Sequence, residues 1–152
     1  MIRSAKLEDI PYINELLYQV HEIHYQLRPD IFKKGVKKYS DDEIKDIIND
    51  KKRNIFVYEE KGKVLGYLFW IIEENDNESH QDIKTLFIDD ICVDESSRQK
   101  GIGKALYEYI KIFAKENKCY NITLNVWNNN DAYKFYQSLG LKTQKETLEE
   151  IL

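Results

Sequence analysis

The feature that most constrains this 152-residue chain is a β-rich run that ends in a glycine loop and passes straight into a helix. Ile83–Val93 reads as a strand, and Arg98-Gln99-Lys100-Gly101-Ile102-Gly103-Lys104 follows it. From Gly101 to about Asn117 apolar residues recur at helical spacing, which places Ile102, Leu106, Tyr109 and Phe113 inside. Glycine between a strand and a helix lets successive backbone N–H groups turn toward one point, where the helix dipole adds positive potential. An anion is expected there, a phosphate above all. Arg98 and Lys104 can add charge to it or simply be solvated.

Three phosphate-binding motifs compete for the segment. A P-loop, G-x-x-x-x-G-K-[ST], would put Arg98 at its first glycine and Ala105 at the hydroxyl that holds Mg²⁺. A dinucleotide fingerprint, G-x-G-x-x-G, begins at Gly101 and meets Leu106 at the third glycine. Both fail. The pattern met in full is [RQ]-x-x-G-x-[GA], which resembles the pyrophosphate loop of the GNAT N-acetyltransferase superfamily. The bland alternative is that two glycines make a tight turn.

The rest of the chain is compatible with one α/β domain over residues 1–152. Ile2–Ala5 suggests a first strand, and Ile10, Ile13, Leu16, Leu17, Val20, Ile23 and Leu27 a helix that Glu8 or Asp9 caps and Arg28-Pro29-Asp30 ends. Ser40-Asp41-Asp42-Glu43 has the form of a capping box and opens a second helix to about Asn49. Asn54–Glu60 and Lys63–Glu73 read as strands joined at Lys61-Gly62. After the long helix come a strand (Tyr120–Trp127), a short helix (Asn130–Leu139) closed by Gly140, and a final strand from Leu141. The expected order is β-α-α-β-β-β-α-β-α-β, a mixed, mostly antiparallel sheet flanked by helices.

Composition removes several functions. A net charge of −4 and no basic face argue against nucleic acid. No apolar run approaches the roughly 20 residues of a membrane span, and Met1-Ile2-Arg3-Ser4-Ala5 does not lead into a signal peptide, so a cytoplasmic protein is expected. Cys92 and Cys119 both fall in strands, where a disulfide is not expected.

A second segment extends the resemblance. Asn129-Asn130-Asp131-Ala132-Tyr133-Lys134-Phe135-Tyr136-Gln137-Ser138-Leu139-Gly140-Leu141 is similar to the N-x-x-A-x-x-[FL]-Y-x-x-x-G-[FL] segment of that superfamily. On a helix, positions 129, 132, 133 and 136 share a face, and 129 to 136 spans about 10.5 Å. The same face can equally be core with a buried tyrosine. The resemblance is firm over Ile83–Leu141 and looser over Ile2–Asp9. Gln99 and Leu141 depart from it, and Gln99 is expected not to matter, because the backbone makes the contacts.

The resemblance implies acetyl-CoA as donor, no metal, and direct transfer to an amine. It implies that the backbone of Ile91, Cys92 and Val93 pairs with the pantetheine arm and supplies an N–H to the thioester oxygen. Arg98, Gln99, Lys100, Gly101, Ile102, Gly103 and Lys104 then hold the pyrophosphate, Asn129 and Ala132 flank the arm, and Tyr136 reaches the sulfur. An alkyl amine near pKa 10.4 is neutral in about one molecule in 2,500 at neutral pH, so a base is useful. Asp89 and Asp90 are candidates, and strand alternation sends them to opposite faces, so at most one, Asp90 by preference, meets the acceptor. Tyr136 would stabilise the leaving thiolate. Cys92 as a nucleophile finds no neighbouring base. In the superfamily the first helices line the acceptor pocket, which puts His21, His24, Tyr25, Arg28 and Asp30 near substrate, surface or core roles being commoner. The acceptor is a small-molecule amine, with a protein N-terminus or lysine, or a non-catalytic CoA sensor, as alternatives. A homodimer through edge strands or the last helix stays open.

Overall fold

Ile2–Ser4 (β1), Arg53–Glu60 (β2), Lys63–Glu74 (β3), Lys84–Val93 (β4) and Asn121–Leu124 (β5) join in that order into one sheet. The computed structural model describes all residues from Met1 to Leu152. The first three pairings are antiparallel, and β4 with β5 is parallel. Because side chains alternate along a strand, β2 and β3 feed two separate cores. Ile55, Val57, Tyr67 and Phe69 face helices Ile10–Leu27 (α1) and Asp41–Ile48 (α2). Phe56, Leu68 and Trp70 face helix Ile102–Glu116 (α3). A last helix, Ala132–Ser138 (α4), follows β5.

Helix α1 has no side-chain cap, although Pro11 sits in its first turn. A cap is worth about 1 kcal/mol. Four buried side chains, Ile10, Ile13, Leu16 and Leu17, contribute about 1.5–3 kcal/mol each, so packing holds this helix. The expected cap, Asp9, is used elsewhere: its carboxylate accepts from Arg3 at 2.7 and 2.9 Å and from the Lys6 N–H at 2.7 Å. Helix α2 is only eight residues and does need its cap. Ser40 Oγ accepts from the Glu43 N–H (3.2 Å) and Glu43 Oε1 from the Ser40 N–H (3.1 Å), the expected capping box. The β2–β3 turn forms at Lys61-Gly62, both at positive φ (52° and 77°), as a two-residue hairpin requires.

Three expectations change. The buried stripe of α3 is Ile102, Leu106, Tyr107, Ile110 and Ala114; Tyr109 is exposed and Phe113 only half-buried, because a 3.6-residue period carries positions 109 and 113 to the flank. Both rings still close on Phe56, at 4.9 and 5.2 Å. Strand β5 is shorter than expected. The closing strand is absent: residues 142–152 are exposed and make no backbone hydrogen bond. Lys142, Lys145, Glu146, Glu149 and Glu150 leave that segment no apolar face to lay on its own sheet.

Candidate active site

At the end of β4 a 3₁₀ turn, Glu95–Ser97, leads into the glycine loop. Gln99 (φ 65°) and Gly101 (φ 80°) then swing the chain into α3. From Arg98 to Lys104 no backbone N–H finds an acceptor in the chain; the first to do so is Ala105, bonding Gly101 O at 2.9 Å. Seven successive free donors at the positive end of a fifteen-residue helix make a site for a polyanion. Arg98 Nε donates to Val93 O (3.2 Å) and ties the loop to the strand end, while Lys100 and Lys104 are exposed.

The two glycines have different duties. A Cβ on Gly101 would meet nothing within 4 Å, and its left-handed φ is what requires glycine. Gly103 lies inside the first turn of α3, where a Cβ would stand 3.1 Å from the Phe135 ring of α4. It lets the two helices close together. Gln99 also takes a left-handed φ, which is strained for glutamine.

β4 and β5 pair only through Thr85–Ile88 and Asn121–Leu124. Beyond Ile88 they part, leaving the β5-facing edge of Asp89–Val93 open, with Ile91, Cys92 and Val93 along it. Ala132 opens α4, its N–H bonded to Asn130 Oδ1 at 2.9 Å. Asn129 lies in the preceding turn and is exposed, so the expected common helical face holds for 132, 133 and 136 alone. Tyr136 is half-buried, and its hydroxyl bonds no protein atom. Burial holds its phenol well above the usual tyrosine value, and the negative charge of Asp90 adds to the effect.

The two carboxylates do not point apart. Phe69 pairs with Asp90 and Trp70 with Ile88, so Asp89 is an extra residue in the ladder. Such a bulge changes the parity of a strand. Leu86 and Ile88 pack with the α3 core, and after the bulge Ile91 and Val93 do. Asp89 and Asp90 both come to the α1–α2 side, where Tyr39 stacks on Phe69 (5.3 Å) and Tyr67 meets Phe69 edge-on (4.9 Å). Tyr39 donates to Asp89, which also pairs with Lys38 at 3.0 Å. Tyr67 donates to Asp90 at 2.7 Å, and no cation bridges that carboxylate. Burial pushes Asp90 up to about 6, the Tyr67 hydrogen bond and Lys38 opposing the rise. Lys38, Tyr39 and Tyr67 carry no motif, so the sequence offered no signal for them.

Cys92 is buried, with Sγ 3.4 Å from Leu16 O, and burial pushes its thiol up to about 12. It is a protonated core residue. Beside the cleft, His24 stacks on Phe32 (5.3 Å), and burial holds it below the usual histidine value. His21 Nε2 lies 2.6 Å from Lys33 O. Arg28 covers the Trp127 ring at 5.4 Å and pairs with Asp30 and Glu149. No group of three or more His, Cys, Asp and Glu side chains could hold a metal ion, and no helix is long and apolar enough to cross a membrane.

A helix headed by free N–H groups and set beside parted parallel strands puts an anion-binding end next to an open strand edge. The family model for the Acetyltransferase (GNAT) family matches residues 18–141, and the chain belongs to that family. A mutant of the BH1408 protein from Bacillus halodurans is 33% identical, with a TM-score of 0.95 over 100% of this chain and 99% of that one. An uncharacterized N-acetyltransferase from Lactobacillus delbrueckii subsp. lactis is 35% identical over 81 residues, 53% of this chain. The match spans about half, 46%, of that relative's length. An aminoglycoside N-acetyltransferase in complex with CoA shares the fold at a TM-score of 0.74 and 16% identity, over 100% of this chain and 98% of that one.

Proposed function

We propose that this chain transfers the acetyl group of acetyl-CoA directly to a primary amine of a small molecule. The observation that carries the reading is the row of free N–H groups from Arg98 to Lys104, a short way along β4 from the half-buried Asp90. The donor supplies an activated thioester. The row of N–H groups and the dipole of α3 hold its pyrophosphate, and the open edge of Ile91–Val93 orients the arm. Gly101 sets the loop, Gly103 and Ala132 keep α3 and α4 close enough to grip it, and Asn129 lies at the rim.

The ammonium must first lose a proton, and Asp90 accepts it; as the C–N bond then forms and the C–S bond breaks, nitrogen sheds a second proton to solvent and the sulfur leaves as a thiolate. Taking a proton from an amine near 10.4 is uphill by about 9 kcal/mol for a carboxylate at 3.8 and by about 6 for one at about 6. Burial therefore helps the base by about 3 kcal/mol. Asp89, neutralised by Lys38, keeps the pocket shaped and leaves Asp90 as the acceptor. Tyr136 holds its proton too tightly to give it up to a sulfur near 8.5, so it acts by donating a hydrogen bond to the departing thiolate.

The test has two parts. Calorimetry should show acetyl-CoA binding at least about tenfold more tightly than an acetyl-pantetheine without the pyrophosphate. A panel of small amines and peptides, followed by CoA-thiol release, should then yield a turned-over small amine. With that amine, Tyr136→Phe should lower kcat about 10²-fold while leaving acetyl-CoA affinity unchanged. Equal affinity for both donors would sink the loop assignment, and equal turnover the role of Tyr136. Binding without turnover of any amine would leave a sensor.

A further inference from the structure

We infer that Lys38 is itself an acetyl acceptor of this site, so that the chain modifies its own Lys38 Nζ from acetyl-CoA. The inference rests on the acetyl transfer and on the role of Asp90 given above. Lys38 lies in the segment between α1 and α2, and its Nζ is 3.0 Å from Asp89 Oδ1. The bulge brings Asp89 and Asp90 to the same side of β4, so the ammonium stands beside the carboxylate that takes the proton. Its charge acts on Asp90 of β4 and on His24 of α1 alike. Lys38 Nζ is therefore between strand and helix, where an amine must lie to give its proton to Asp90.

The neighbouring lysines are placed differently. Lys37 donates to Asn14 and Asp41, at 2.6 Å each, and meets no group of β4. Lys33 and Lys34 are exposed and make no ion pair. Among them only Lys38 reaches a carboxylate of β4. Nor is it locked there. Its side chain is 46% exposed against 14% for Asp89, and an ion pair so open to water holds weakly. The flexible lysine stem then lets Nζ leave Asp89 and turn toward Asp90, whose Oδ2 takes the Tyr67 hydroxyl.

The step balances. The Lys38 ammonium gives one proton to Asp90 and becomes a neutral amine. Nitrogen attacks the thioester carbon; the C–N bond forms, the C–S bond breaks, a second proton goes to solvent, and the sulfur leaves as a thiolate. The product is an amide without charge, which no longer holds Asp89, so the side chain is released to water and the reaction stops there. Holding nucleophile, base and thioester in one cleft separates this step from chemical acetylation of a surface lysine.

Incubation of the full chain with acetyl-CoA at neutral pH, without added amine, tests this by mass spectrometry. Chymotryptic cleavage after Phe32 and Tyr39 gives the 33–39 peptide, which carries Lys33, Lys34, Lys37 and Lys38 together, so their labelling is compared within one fragment. Lys38 should gain its acetyl group at least about tenfold faster than Lys33 or Lys34. The rate per chain should not change with protein concentration, because each chain labels its own residue. Asp90→Asn, which should stay folded, should bring Lys38 down to the rate of its neighbours. Lys38→Arg should leave the peptide with the slow background label alone. Labelling of Lys38 no faster than that of Lys33 and Lys34 overturns the proposal, as does an unchanged rate in Asp90→Asn or a rate proportional to protein concentration. Turnover of a small amine by the same protein separates the two readings: with it, an unlabelled Lys38 removes this site and leaves acetyl transfer standing.

Discussion

Replacing Asp90 by asparagine should make this protein more stable and less active in one step. Burial raises the carboxyl from 3.8 to about 6, or roughly 3 kcal/mol at 1.36 kcal/mol per pH unit. The folded form therefore binds the proton more tightly than the unfolded chain. Wild-type stability falls as the pH rises from 3.8 to about 6, and above that the full loss is present. Asparagine carries no charge yet keeps an oxygen to accept the Tyr67 hydroxyl, so the variant escapes this loss. Urea denaturation should show Asp90→Asn more stable at neutral pH by about 1–3 kcal/mol, with the gap closing toward pH 4. Turnover should fall at neutral pH and recover in alkaline buffer, where free amine no longer needs a base. A variant that is less stable at neutral pH, or whose advantage does not change with pH, would refute the burial argument. An equal loss of turnover at every pH would refute proton transfer to this group.

Three further outcomes follow from the loop and the core. Gln99→Gly should raise stability by about 1 kcal/mol in a denaturant titration, because it relieves a left-handed residue at φ 65°. Gly103→Val should push Phe135, 3.1 Å from the new Cβ, and separate α4 from α3; a loss of about 1–3 kcal/mol and weaker acetyl-CoA binding are expected by denaturation and calorimetry. Cys92→Ala should keep kcat within about twofold, since a thiol pushed up to about 12 is no nucleophile, and a dead but folded variant would show otherwise.

Much of this protein was legible in local sequence because the forces involved are local. The Ser40–Glu43 capping box, the Lys61-Gly62 turn and the glycine loop each depend on backbone geometry within a few residues, and each formed where expected. The free N–H groups at the head of α3 follow from the same few residues, since a helix start leaves its first donors without intrahelical partners and no side chain caps this one. Asn129 and the closing strand were misplaced for the opposite reason. A strand needs both a free edge and an apolar face to lay on the sheet; β5 offers the edge, but residues 142–152 carry no such face and make no backbone hydrogen bond to it.

The carboxylates show the division most clearly. That Asp89 and Asp90 stand just before Ile91–Val93 in β4 is a property of the sequence. That both reach one side, that Lys38 and Tyr39 take Asp89, and that Asp90 is left with Tyr67 and a value of about 6 depended on the bulge in the β3–β4 ladder. A bulge is settled by the register of two strands together, and a pKa by how much water the packed neighbours exclude. Residue order along one strand carries neither quantity, so only the tertiary structure could tell the proposed base from its neighbour.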